Sequence, residues 1–140
     1  MADAPKPPLT LELIWEHELV FSGTAAQATL RMDSDGAEGP SPMQSLAFAL
    51  SGCMAMDVVH ILKKGRQDLH GLRVDFSGTR ADDNPRRFTA IALHFTINGN
   101  VPGDVIQRAI DLSHEKYCSV WHSMRQDISL QTTYSVSAAA

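Results

Sequence analysis

The segment from Pro42 to Lys64 constrains this chain more than any other. Its central run, Leu46 to Leu62, is apolar apart from Ser51, Gly52, Asp57 and His60. Pro42 suits the first position of a helix, where its missing N–H would lack an intrahelical partner anyway, and Ser41 can cap it. Lys63 and Lys64 complement the negative end of the helix dipole, and Gly65 is the expected stop. At 1.5 Å per residue such a helix is a rod of about 33 Å. It is apolar nearly all round, which marks a helix covered on most sides. A chain of 140 residues has little material to surround it, so a second subunit is expected to finish the cover. A membrane span needs about 20 mostly apolar residues without polar breaks, and the four interruptions argue against one.

Around this rod the pattern changes to period two. From Leu9 to Phe21 apolar residues alternate with Thr10, Glu12, Glu16 and Glu18, which predicts a half-buried strand. Ser22-Gly23 reads as a turn and Ala25 to Met32 as its partner strand, followed by a loop from Asp33 to Ser41. Leu72, Val74 and Phe76 alternate again, as do Ile91, Leu93, Phe95 and Ile97. Thr79 to Arg86 joins these two strands as a hairpin-like loop, and Asn98-Gly99-Asn100 ends the pair. Pro102 to about Tyr117 carries one apolar stripe of an amphipathic helix. A short helical piece, Ser119 to Arg125, and a strand, Ile128 to Val136, close the chain. Antiparallel strand pairs separated by helices indicate an α+β fold rather than a doubly wound sheet. The expected organisation is a disordered lead over 1–8, a single domain over 9–136 and a tail over 137–140.

Composition removes several function classes. Hydrophobic residues at 44% and charged ones at 20% exclude a disordered chain. Twelve basic against sixteen acidic residues leave a net charge of −4, which disfavours general binding to nucleic acid or to an anionic membrane. Cys53 and Cys118 are too few for a disulfide scaffold and lack zinc-finger spacing. Met1 to Pro8 lacks a basic start followed by an apolar stretch, so no secretory signal is expected. The expected location is the cytoplasm, where thiols stay reduced unless they turn over. The sequence has no phosphate-cradling glycine loop, no Gly-x-Ser-x-Gly and no His-Glu-x-x-His.

The chemistry therefore centres on the thiols. Cys53 lies mid-helix, beyond help from the helix dipole. A free thiol ionises near about pH 8.5 and only the thiolate is a strong nucleophile, so a working Cys53 needs a cation nearby. Asp57, one turn along, works against the thiolate if ionised, and a protonated His60 works for it. Cys118 follows in Ser113-His-Glu-Lys-Tyr-Cys-Ser-Val120, a polar and ionisable context. Three readings stand side by side. Cys53 with His114, Cys118 and His122 could hold zinc. Cys53 attacking and Cys118 resolving would make a peroxide-reducing thiol pair. Both could simply be small packing residues.

The stretch Ser41-Pro-Met-Gln-Ser-Leu-Ala-Phe-Ala-Leu-Ser-Gly-Cys-Met-Ala-Met-Asp-Val-Val-His-Ile-Leu62 resembles the cysteine helix of the OsmC/Ohr family. Ser113 to Val120, 65 residues on from cysteine to cysteine, resembles its second cysteine motif. The similarity runs from about Leu9 to Val136 and is nearest the YhfA-like branch, where Gly-Cys-x-x-x-Asp-Val-Val is typical. The resemblance implies an OsmC-like α+β fold, with strands wrapping around a long central helix in an intertwined homodimer whose thiol sites lie at the subunit interface. It implies a peroxidase in which Cys53 is peroxidatic and Cys118 resolving, with an external dithiol reductant, lipoyl-linked in the Ohr branch. No metal or organic cofactor is implied. Two departures matter. Pro42-Met43 stands where the family has Pro-Glu, so the glutamate that pairs with the activating arginine is missing. Phe21 falls near the Ohr arginine position, whereas Arg31 occupies roughly the OsmC position and is the candidate thiolate partner. Glu115 is the candidate to supply a carboxylate in place of the missing one. The competing function is a non-catalytic dimer that binds a small apolar ligand at its interface.

Overall fold

The computed structural model describes residues 4–138; the outermost parts of the expected lead, 1–3, and tail, 139–140, lie outside the described residues. Two compact units are present, Met1–Leu46 and Ala47–Ala140. The elements are α-helical and β-stranded in mixed order, as the α+β reading expects.

The first unit is a three-stranded antiparallel sheet of β1 (Glu12–His17), β2 (Val20–Ala25) and β3 (Ala28–Asp33), in that order. Three strands replace the two expected. The chain reverses just after His17 and again after Ala25, with Glu18 at φ 46° and Ala26 at φ 52°. Neither turn carries glycine or proline, and the alternation of apolar residues runs straight through the first, so the pattern hides the reversal. Gly23, expected in a turn, lies inside β2, where a Cβ would approach Leu13 Cδ1 to 3.1 Å. After β3 the Asp33 carboxylate accepts the amides of Asp35 and Glu38, each at 3.0 Å. The Glu38 and Asp35 amides hold its carboxyl below the ordinary carboxylate range. All six residues of β1 are exposed, Leu13, Ile14 and Trp15 among them.

Helix α1 spans Pro42–Lys64, as expected. Its start is a capping box: the Gln44 amide donates to Ser41 Oγ at 3.1 Å, and the Ser41 amide donates to Gln44 Oε1 at 2.9 Å. Its end corrects one expectation. The left-handed residue is Arg66, φ 57°, not Gly65. The amides of Arg66 and Gln67 donate back to the carbonyls of Lys63 and Leu62, which caps the helix at its expected end with the left-handed residue one position beyond Gly65.

In the second unit β4 (Asp68–Arg80) pairs antiparallel with β5 (Phe88–Asn100), and β5 pairs parallel with β6 (Ser129–Ser137). The parallel pair departs from the antiparallel expectation and requires a crossover, which residues 101–128 provide. Gly99, at φ 148°, sits inside β5, where a Cβ would run into the Asp68 carbonyl of β4. The core takes Ile91, Leu93, Phe95 and Ile97 from β5, and Leu50, Met54, Val58 and Leu62 from α1. The four α1 residues recur every fourth position, so one stripe of the rod is covered. Phe48 and Met56 remain 70% and 73% exposed. By length and a mean hydropathy of 1.7, α1 is also apolar enough to cross a membrane. One stripe of it is buried, and Asp57 interrupts its apolar surface with the polar contact described below.

Candidate functional site

The crossover positions the site. Helix α2 (Gly103–Leu112) buries Ile106, Ala109 and Ile110, and then the helix widens. Ser113–Tyr117 form a π-helical turn, closed by the Cys118 amide donating to the Ser113 carbonyl five residues back at 2.8 Å. The helix expected to run evenly to about Tyr117 is thus irregular over its last five residues. Such wide turns insert a residue into the helical ladder and recur at functional sites. Here the insertion leaves Cys118 in extended backbone, φ −72° and ψ 97°, as the N-cap of a four-residue helix α3 (Ser119–His122). The Trp121 amide donates to Cys118 Sγ at 3.3 Å. Trp121 is buried and meets the His114 ring edge-on, with centroids 5.6 Å apart.

Cys53 reaches this segment from the middle of α1. It is half-buried, and its Sγ lies 3.9 Å from Ser119 Oγ, beside Cys118. One turn along α1, Asp57 Oδ2 accepts the Ser113 hydroxyl at 2.8 Å. Cys118 is fully buried. Burial pushes its thiol up to about 11, and the adjoining Cys53 and the Asp57 carboxylate add to the rise against the pull of the Trp121 amide. At neutral pH Cys118 is therefore a neutral thiol set beside a more accessible one.

Arg31 belongs to the first unit, where its Nη2 lies 2.8 Å from Glu16 Oε2 and 3.3 Å from Glu38 Oε1. Glu38 also lies 2.9 Å from His17 Nε2. Glu115 is exposed on the π turn and lines a cleft along α2 with Asp104, Arg108 and Asp111. Met43 is half-buried, and the first turn of α1 carries no acidic residue. The zinc reading required a helical face shared by His114, Cys118 and His122. The π turn breaks that face, and the His122 ring nitrogen lies 3.0 Å from the His114 carbonyl oxygen. Among the described residues no group of three or more His, Cys, Asp or Glu side chains is arranged to hold a metal ion.

Ser113, Ser119 and Trp121 received no role from the sequence. A serine at the end of an amphipathic helix is indistinguishable by pattern from any other helix terminus, so only the π turn reveals that Ser113 faces α1. Separately, the C-terminal half of α1 and the start of β4 border an open apolar groove of about 690 Å³. Met56, Val59, Leu69 and Leu72 line it, with His60 and His70 at its rim.

Comparison with known proteins finds both similar sequences and similar folds. The family model described as OsmC-like protein matches residues 34–133. Protein YhfA of Escherichia coli (strain K12) is 41% identical over 128 residues, covering 89% of this chain and 96% of that protein. Among solved structures, a hypothetical protein from Aquifex aeolicus VF5 is 27% identical with a TM-score of 0.88, covering 96% of this chain and all of that one. An organic hydroperoxide resistance protein OsmC from Legionella pneumophila is 13% identical with a TM-score of 0.69, covering 95% of this chain and 100% of that one. At that identity the likeness is one of fold.

Proposed function

Because the chain belongs to the OsmC-like protein family, we propose that it is a two-cysteine thiol peroxidase acting on organic hydroperoxides. The observation that carries this reading is the juxtaposition of a half-buried Cys53 with a fully buried Cys118, from segments 65 residues apart. The Legionella pneumophila neighbour, an organic hydroperoxide resistance protein, supports the substrate class.

In the proposed cycle the Cys53 thiolate attacks the outer peroxide oxygen. The O–O bond breaks, the alkoxide takes up a proton to leave as an alcohol, and Cys53 becomes a sulfenic acid. The Cys118 sulfur then attacks the Cys53 sulfur; the S–O bond breaks, the Cys118 proton joins the departing hydroxide, and water and a disulfide result. An external dithiol of lipoyl type reduces that disulfide and is itself oxidised. No metal or organic cofactor enters. The cation that favours the Cys53 thiolate is proposed to be Arg31, by its place before α1; Glu115 is the alternative carboxylate for the missing glutamate.

Exposed Phe48 and Met56 on α1, and the exposed apolar residues of β1, support a homodimer in which a second copy covers them. The reductive cycle fits a reducing compartment such as the cytoplasm.

The test is peroxide consumption with a dihydrolipoyl donor by the wild type, Cys53→Ser and Cys118→Ser. Both variants are expected to lose turnover, and Cys118→Ser is expected to consume one equivalent and accumulate a sulfenic acid that dimedone traps. Undiminished turnover in Cys53→Ser would overturn the assignment. The Leu, Phe, Met and Val side chains of α1 lead to a second expectation, a higher second-order rate with cumene hydroperoxide than with hydrogen peroxide. Equal rates would remove that preference.

The groove beside Met56 and Leu72 favours one other reading, a non-catalytic binder of small apolar ligands. That reading is preferred if peroxide leaves both thiols free while an apolar dye binds stoichiometrically and is displaced by Val59→Trp.

A further inference from the structure

Ser113 is fully buried and has no part in the cycle as written. It nevertheless makes two bonds that join the cysteine segments. Its hydroxyl donates to Asp57 Oδ2 of α1 at 2.8 Å, and its carbonyl accepts the Cys118 amide at 2.8 Å. Asp57 in turn stands one helical turn from Cys53. The π turn is what allows this: in a regular α-helix the Ser113 carbonyl would accept from Tyr117, and Cys118 would be carried round the helix. One serine thus anchors both the Asp57 carboxylate, one turn along α1 from Cys53, and the backbone that carries Cys118.

Resting on the two-thiol reading above, we propose that the Asp57–Ser113 pair enforces the order in which the cysteines react. It holds Cys118 as a stationary neutral thiol that ignores peroxide and attacks only an oxidised Cys53. Asp57 and Ser113 are positioning residues in this scheme, since they act through Cys118 rather than on the substrate. The physical basis is the burial of the Cys118 sulfur, to which the neighbouring Cys53 and the Asp57 carboxylate held by Ser113 add by disfavouring a negative charge there. Among the described residues, the titratable groups that act on the Cys118 thiol are Cys53 and Asp57, both from α1. From its own segment it receives the Trp121 amide, while the His114 ring meets Trp121 and the His122 ring meets the His114 carbonyl oxygen. Neutrality costs the resolving step nothing in balance. When the Cys118 sulfur attacks, its S–H bond breaks as the Cys53 S–O bond breaks, and the proton leaves with the hydroxide as water.

The decisive measurement needs no peroxidase activity. In a Cys53→Ser background, the rate of Cys118 alkylation by iodoacetamide is followed from pH 7 to pH 11, with and without Asp57→Asn. Asparagine keeps the acceptor for Ser113 and removes the charge. Cys118 is expected to label about threefold faster at pH 8.5 in Asp57→Asn, its pH profile moved to lower pH, and Asp57→Glu is expected to restore the slow profile. Ser113→Ala, which unties the carboxylate, is expected to move the profile the same way, and Ser113→Thr to restore it. A purely structural role would lower thermal stability and leave the midpoint of the profile in place; that result, or fast labelling of Cys118 before any change at Asp57, would overturn the proposal. Should Asp57→Asn unfold, the Ser113 pair decides the matter. A shifted profile in a protein that consumes no peroxide would sink the peroxidase reading alone, because the labelling experiment is independent of turnover.

Discussion

Cys53 is carried by unbroken helix on both sides and stands half open to solvent, whereas Cys118 follows a π turn, adopts extended backbone and is fully buried. The helix needs nothing beyond its own hydrogen bonds to hold its sulfur. The crossover segment depends on contacts from outside itself: the Asp57 carboxylate on Ser113, and the burial of Trp121. The difference is one of burial and backbone between two identical side chains, and the proposed cycle assigns them different tasks on that basis. In that cycle a half-buried thiol on a rigid rod suits first contact with a substrate, and a buried thiol held by a non-repeating segment suits a partner that must wait.

The largest effect that could break this contrast is chemical reactivity. In the folded protein at pH 8, Cys118 is expected to alkylate at least about a hundredfold more slowly than after unfolding, since its thiol lies near 11 rather than 9.0 and solvent does not reach it. Mass-spectrometric counting of labelled cysteines checks this. Equal labelling of both thiols would erase the distinction.

A second effect separates the covered and open faces of α1. Leu50→Ala is expected to cost about 3 kcal/mol in chemical denaturation, as a truncation in a filled core. Phe48→Asp, on the exposed face, is expected to shift the assembly towards monomer in sedimentation while leaving helix content intact. An unchanged assembly would remove Phe48 from the proposed dimer contact.

The smallest effect is a pH slope. Above about pH 9 the Cys118 thiol ionises in the unfolded chain but not yet in the folded one, so the unfolded state releases the proton first. Folding stability is therefore expected to decline between pH 9 and pH 11, and Cys118→Ala is expected to flatten that decline. A slope identical in both proteins would place its origin in other groups.

Much of this was legible in the chain. Helix α1 was readable to the residue because proline, an apolar run and paired lysines report the same boundaries. The cysteine pair was readable through its motifs. The three-stranded first sheet was not, because the reversals at Glu18 and Ala26 use left-handed non-glycine residues inside an unbroken alternation. The π turn was equally hidden, since Ser113 to Tyr117 continues an acceptable helical pattern and the widening is set by what Ser113 and Trp121 meet. The place of Arg31 was only half visible: its position before α1 is in the sequence, but its pairing with Glu16 of β1 and Glu38 of the following loop arises from how the strands and that loop fold together.

By itself the sequence determined that a long apolar helix would carry one sulfur at its centre and that a second would follow an amphipathic helix. Those outcomes depend on local terms, namely side-chain periodicity, capping and proline geometry, which a chain expresses wherever it folds. Only the tertiary structure decided that the second sulfur would be buried and that the turn before it would be tied to Asp57 through Ser113. Burial and the field of a carboxylate fifty-six residues away from Ser113 are properties of approach between segments, and no local pattern encodes them.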